Sequence, residues 1–111
     1  NGTKDINLTI DKILHEIKDY NFGEIILHSM DKDGTGNGFD LNLINKIKYL
    51  PNKPVLLMGG AGKPEHIVEA LKNNKVSGAV TANLLNFIGD GLKVTRNLAI
   101  KNKIKIAVLN Q

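Results

Sequence analysis

The 111-residue sequence has no cysteine and no tryptophan, and aromatic residues make up only 5% of it. Without cysteine there are no disulfides and no thiolate metal ligands, which fits a cytoplasmic protein. So few aromatics remove the stacking platforms of single-strand nucleic-acid binders. No apolar run approaches the length of a membrane span, and the polar, mixed opening residues do not resemble a secretory signal. Neither sign of charge dominates: 15 Lys+Arg against 11 Asp+Glu give a net +4. A mild positive field of this kind suits small anionic ligands at least as well as nucleic acid. The expectation is therefore no nucleic acid and no membrane. Hydrophobic residues make up 41%, enough for one domain with a real core. The chain opens at Asn1 rather than Met, in a polar stretch, which reads as a fragment or a processed product.

Periodicity organises the rest. Ile10, Ile13, Leu14 and Ile17 fall at helical spacing within Leu8 to Tyr20, and Asn21 with Gly23 ends that pattern. "EIILHS" (Glu24 to Ser29) is short, apolar and β-branched, as a buried strand should be. Asp40 can cap a helix carrying Leu41, Ile44 and Ile47, with Pro51 closing it. "PVLLM" (Pro54 to Met58) is a second strand, and Pro64 stands where the first residue of the next helix belongs. That helix carries Ile67, Val68 and Leu71 and fades at Asn73-Asn74. "SGAVT" (Ser77 to Thr81) is a third strand, "ANLLNF" reads as one helical turn, and a last helix covers about Gly91 to Asn102. Lys103 to Leu109 reads as an extended tail. The order αβαβαβαα means right-handed crossovers and a parallel sheet. Strands that are apolar throughout predict a sheet covered on both faces. Three strands cannot close a barrel, and an open sheet leaves two raw edges. The chain therefore reads as part of a larger α/β fold.

In such folds ligands gather at the carboxyl ends of the strands. Here those ends are "HSMDKDGTGNG", "MGGAGKP" and "VTANLLN". A calcium loop counted from Asp31 needs an acidic or amide ligand where Thr35 stands and a bidentate Glu where Asn42 stands, so calcium is excluded. "GGAGKP" has Lys63, but Pro64 replaces the hydroxyl residue of a nucleotide P-loop. It still places backbone N–H groups at a helix N-terminus, which suits an anion, or serves only as a turn. "TANLLNF" supplies Thr81, Ala82 and Asn83 at a short helix after a late strand, a recurrent phosphate site in (βα)₈ barrels; the alternative is a plain cap by Asn83. Asp31 and Asp33 can bind hydroxyls or move protons, or can satisfy their own loop. His28 is either a packed strand residue or a site residue. His15 and His66 read as solvent-facing. Neither a Ser/His/Asp set nor metal-ligand spacing is apparent.

"GEIILHSMDKDGTGNGFDLNL", "MGGAGKPEHIVEAL" and "GAVTANLLNF" together resemble the cyclase subunit of imidazole glycerol phosphate synthase, of histidine biosynthesis. D-x-D-G-T (Asp31 to Thr35) followed by G-G-A-G (Gly59 to Gly62) is the specific part of the likeness. It implies a partial (βα)₈ barrel with a parallel sheet, about strands 6 to 8 with flanking helices, with residues 1–111 as the C-terminal part of one barrel domain. It implies an ammonia-using cyclase fed by a glutaminase partner, closing an imidazole ring on a phosphorylated ribonucleotide, with no cofactor. Asp33, Gly34, Thr35 and the strand residue His28 would then contact substrate. Gly59, Gly60, Ala82 and Asn83 would hold a phosphate, and Glu24 matches an acidic residue of the ammonia gate. The family's acid/base pair, two aspartates, belongs to strands 1 and 5, so the resemblance places no catalytic residue in this chain and implies that the chain alone is inactive. Four positions depart from the family pattern: His28 for Thr, Met58 for Ser, Asn83 for Ser and Asn86 for His. Such departures point also to a paralogue that amidates surface-polysaccharide sugars. A non-catalytic phosphate-binding module, or a unit that completes a barrel with another chain, are the further alternatives.

Overall fold

The computed structural model describes residues 8–82, 84 and 89–107. Helix α1 (Ile10–Glu16) starts at Thr9, whose hydroxyl accepts from the Lys12 N–H at 3.3 Å. It is followed by β1 (Ile25–His28), α2 (Leu41–Lys46), β2 (Val55–Met58), α3 (Pro64–Lys72), β3 (Gly78–Val80) and α4 (Gly91–Lys101). The alternation of strand and helix is the predicted one. The one-turn helix read at "ANLLNF" lies mostly outside the described residues. The tail from Ile104 to Ala107 carries no regular structure.

The three strands form one parallel sheet in the order β1-β2-β3. Ile25 pairs with Val55 and His28 with Met58, and Met58 in turn pairs with Val80. Side chains alternate across a strand, so register sorts them into two faces. Ile25, Leu27, Val55 and Leu57 lie on one face and are buried with Leu14, Ile44, Ile67 and Ala70 from α1, α2 and α3. Ile26, His28, Leu56, Met58 and Val80 lie on the other. Ile26 is 51% exposed.

The sheet is thus covered on one face only among the described residues, against the two covered faces that the sequence predicts. The apolar run is real, but its second face meets no helix. In a (βα)₈ barrel that face turns inward and packs on the other strands, which satisfies the same pattern without a second helical layer. The parallel α/β order with one helical face is that of part of such a barrel.

Helix ends show which local signals act. Asp40 caps α2 as predicted, its Oδ1 accepting from the Leu43 N–H at 3.0 Å. The helix stops at Lys46, however, well before Pro51, because Ile47 is already extended. Lys75 reaches across from beyond α3 and donates to the carbonyls of Ile47 at 2.7 Å and Ile44 at 3.4 Å, satisfying groups the helix leaves open. Asp11 of α1 accepts from the Lys48 and Tyr49 N–H groups and ties the first helix to this corner. Pro64 opens α3 as predicted. Among the described residues no helix is long and apolar enough to cross a membrane.

Candidate anion-binding site

The carboxyl ends of the strands deliver the glycine-rich loops to one place. β1 runs into residues 29–40, β2 into residues 59–63, and β3 into Thr81 and Ala82. The first loop folds on itself. Ser29 O accepts from the Lys32 and Asp33 N–H groups at 3.3 and 3.0 Å. Thr35 Oγ1 donates to Lys32 O at 2.7 Å and accepts from the Asn37 N–H at 3.2 Å.

The second loop then lies against the first, backbone on backbone. Gly38 N–H donates to Gly60 O at 2.7 Å. A Cβ on Gly60 would collide with Gly38 O, and one on Gly62 with Gly36 O. Gly60 also has φ +98°, a conformation other L-residues rarely adopt. Glycine at these positions is therefore a packing requirement as well as a turn signal.

Together the loops enclose a cavity of about 140 Å³ bordered by Asp33, Gly34, Gly36, Met58, Gly59–Gly62, Val80, Thr81 and Ala82. That is smaller than the few hundred Å³ typical of a whole-ligand pocket, so it suits one compact group of a ligand. Five of its eleven lining residues are glycine, which brings backbone to the wall. The N–H groups of Gly60 and Ala61 have no acceptor among the described residues. Helix α3 starts just beyond, and Lys63 at its N-cap places no side-chain hydrogen bond on the first turn. Open N–H groups beside the positive end of a helix attract an anion.

One lining group is itself anionic. Asp33 Oδ2 is turned to His28 Nε2 at 3.3 Å, the only side-chain ion pair among the described residues when the imidazole is protonated. His28 and Asp33 are both partly exposed, at 38% and 56%. In water-accessible positions such a pair contributes little to stability, so its interest lies in its position.

Of the residues singled out from the sequence, the fold brings Asp33, Gly34, Gly59, Gly60 and Ala82 to one cavity. His28 stands beside it through Asp33 and through Gly59, whose Cβ position lies 3.2 Å from His28 Cδ2. Thr35 is not in the lining, and its hydroxyl is engaged within its own loop. Glu24 lies at the other end of the sheet, just before β1. Asn83 and Asn86 lie outside the described residues.

His66 departs from the solvent-facing reading. It is half-buried, its Nδ1 accepts from the Gly62 N–H at 3.2 Å, and its ring lies against Gly38. Helical phase from Pro64 directs it back over the loop it follows, a relation that apolar spacing alone does not reveal. Gly36 and Gly62 were equally hidden as lining residues, although their small size was the available signal.

With this geometry in hand, comparison with known proteins is decisive. The model of the histidine biosynthesis protein family matches residues 1–89. The chain belongs to that family. The matched region contains both glycine loops and Ala82. A subunit of imidazole glycerol phosphate synthase from Parasynechococcus marenigrum, named hisF2 only provisionally, is 43% identical over 89% of this chain and 37% of its own length. The HisF subunit of that synthase from Streptococcus mutans is 38% identical over 78% of this chain and 34% of the relative. HisF from Clostridium botulinum is 36% identical over 96% of this chain and 42% of its own. The chain therefore spans between a third and a half of the length of these relatives.

Proposed function

We propose that the protein containing these residues is the ammonia-using cyclase of the histidine biosynthesis family, and that this chain supplies its phosphate- and substrate-binding loops. The observation that carries the reading is the cavity between Gly60 and Ala82, walled by glycine backbone and flanked by the start of α3. One phosphate of a phosphorylated ribonucleotide sits there, with Gly59, Gly60, Ala82 and Asn83 around it. Asp33, Gly34 and His28 then face the body of the substrate, and Thr35, whose hydroxyl is bonded within the loop, holds that loop in shape. Glu24, at the amino end of the sheet, borders the path by which ammonia from a glutaminase partner enters. The chemistry needs an acid/base pair that the resemblance assigns to other strands, so these residues alone bind without turning over.

The experiment is an assay of the intact protein with ammonia and the phosphorylated ribonucleotide of the histidine route. Release of imidazole glycerol phosphate supports the reading. A folded protein that binds the ribonucleotide but closes no ring contradicts it.

A second reading, amidation of a surface-polysaccharide sugar, is favoured by one observation. His28, which replaces a smaller Thr of the family pattern, stands paired with Asp33 beside the cavity. A different group at that position fits a different acceptor. Amidation of a sugar substrate in place of ring closure in the same assay selects this reading.

A further inference from the structure

The cavity has two unlike kinds of wall. The loops bring to it the open N–H groups of Gly60 and Ala61. The strand ends bring Met58 and Val80, the last residues of β2 and β3. These two are register partners, so they stand side by side on one face of the sheet. That face is the uncovered one, and both residues are half-buried. Most other lining residues are glycine, alanine or threonine, and Met58 has the longest side chain among them all. A thioether is a weak acceptor, and an isopropyl group neither donates nor accepts. A phosphate oxygen turned toward them would lose its water and gain no partner, which costs free energy. A phosphate with every oxygen free therefore suits this cavity less well than one whose ester carbon lies at the strand ends.

We propose that Met58 and Val80 form an apolar strip that selects phosphate monoesters whose first carbons carry no hydroxyl toward the sheet. The phosphate oxygens meet the loop N–H groups, and the carbon arm lies on the strip. Met58 suits this role, because an unbranched thioether with three rotatable bonds settles against an irregular ligand edge. In a ribonucleotide the 5′ methylene and the ring C–H beyond it meet that description. An open-chain polyol phosphate, with a hydroxyl on its second carbon, does not. A hydroxyl laid on the strip is left without a partner, which is the basis of the selection. The proposal rests on the proposed anion site, because the strip acts only on a ligand that the loops already hold.

The test uses the intact protein labelled with ¹⁵N and with ¹³C in its methionine methyl groups. Inorganic phosphate, propyl phosphate and glycerol 3-phosphate are titrated separately, while the Gly60 and Ala61 amides and the Met58 methyl are followed. All of these ligands are expected to move the amides. Propyl phosphate is expected also to move the Met58 methyl, and to bind about fourfold more tightly than glycerol 3-phosphate or better, the worth of one buried methylene. Met58→Ser is expected to abolish that preference and to leave inorganic phosphate within about twofold. Met58→Leu, still apolar, is expected to keep the preference. Val80→Thr, which keeps the shape and adds a hydroxyl, is expected to reduce it. If propyl phosphate shows no preference, leaves the Met58 methyl unmoved, or keeps its full preference in a folded Met58→Ser or Val80→Thr variant, the strip is wrong and the anion site stands. If none of the ligands moves the Gly60 or Ala61 amide, the anion site itself fails and the strip fails with it.

Discussion

At the scale of single residues, the site is built from what is missing on glycine. Gly62 approaches Gly36 O so closely that a methyl group has no room. Gly62→Ala is expected to cost about 1–3 kcal/mol through forced backbone displacement, read as a lower urea midpoint with unchanged slope. His66 fixes the same loop from the other side through its bond with the Gly62 N–H. His66→Ala is expected to cost about 1 kcal/mol and to speed hydrogen exchange at the Gly62 amide. Protection unchanged at Gly62 would show that the bond carries no weight. Gly34, Gly59 and Gly60 are legible as site residues because clustered glycine after an apolar strand has few other uses, whereas Gly36 and Gly62 are not. His66 was not, because its role depends on the exact phase of α3 over a loop whose path no local pattern states. The pairing of His28 with Asp33 is likewise invisible in the sequence, because only the turn at Ser29 brings the two together.

Among the elements, order and type follow from period, while boundaries follow from tertiary contacts. Asp40 was legible as a cap because Asp before an apolar periodic run has a direct partner in the first turn. Asp40→Ala is expected to lower stability by about 0.5–2 kcal/mol, measured by thermal unfolding. The end of α2 was not legible. Pro51 looked like the stop, but the stop is earlier and its carbonyls are satisfied by Lys75, far along the chain. A sequence reading has no way to pair Lys75 with Ile47 before the fold is known. Lys75→Met keeps the aliphatic stem and removes the donor. Its expected cost is about 1.5–3 kcal/mol, the range for a hydrogen bond from a charged group. β1 shows the same limit: its apolar run predicts burial on both faces, whereas register leaves Ile26 and His28 on the open one.

At the scale of the whole molecule, the open face is the main consequence of belonging to a barrel family. Ile26, Leu56, Met58 and Val80 form an apolar sheet surface with no described element over it. Closure into a barrel in the intact protein gives that surface an interior to line. Ile26→Lys separates the two states. A lysine on a solvent-facing sheet changes stability by less than about 0.5 kcal/mol, whereas one buried without a partner costs several times that. A large loss of stability in the intact protein is the expected result.

On the proposed function, the cavity between Gly60 and Ala82 holds a phosphate. Isothermal titration of the intact protein with the phosphorylated ribonucleotide, beside its Gly60→Val variant, tests it most directly. Binding by the parent protein is expected, with at least tenfold weaker binding by a variant that remains folded, about 1.4 kcal/mol or more. Equal affinity in the two proteins would place the phosphate elsewhere.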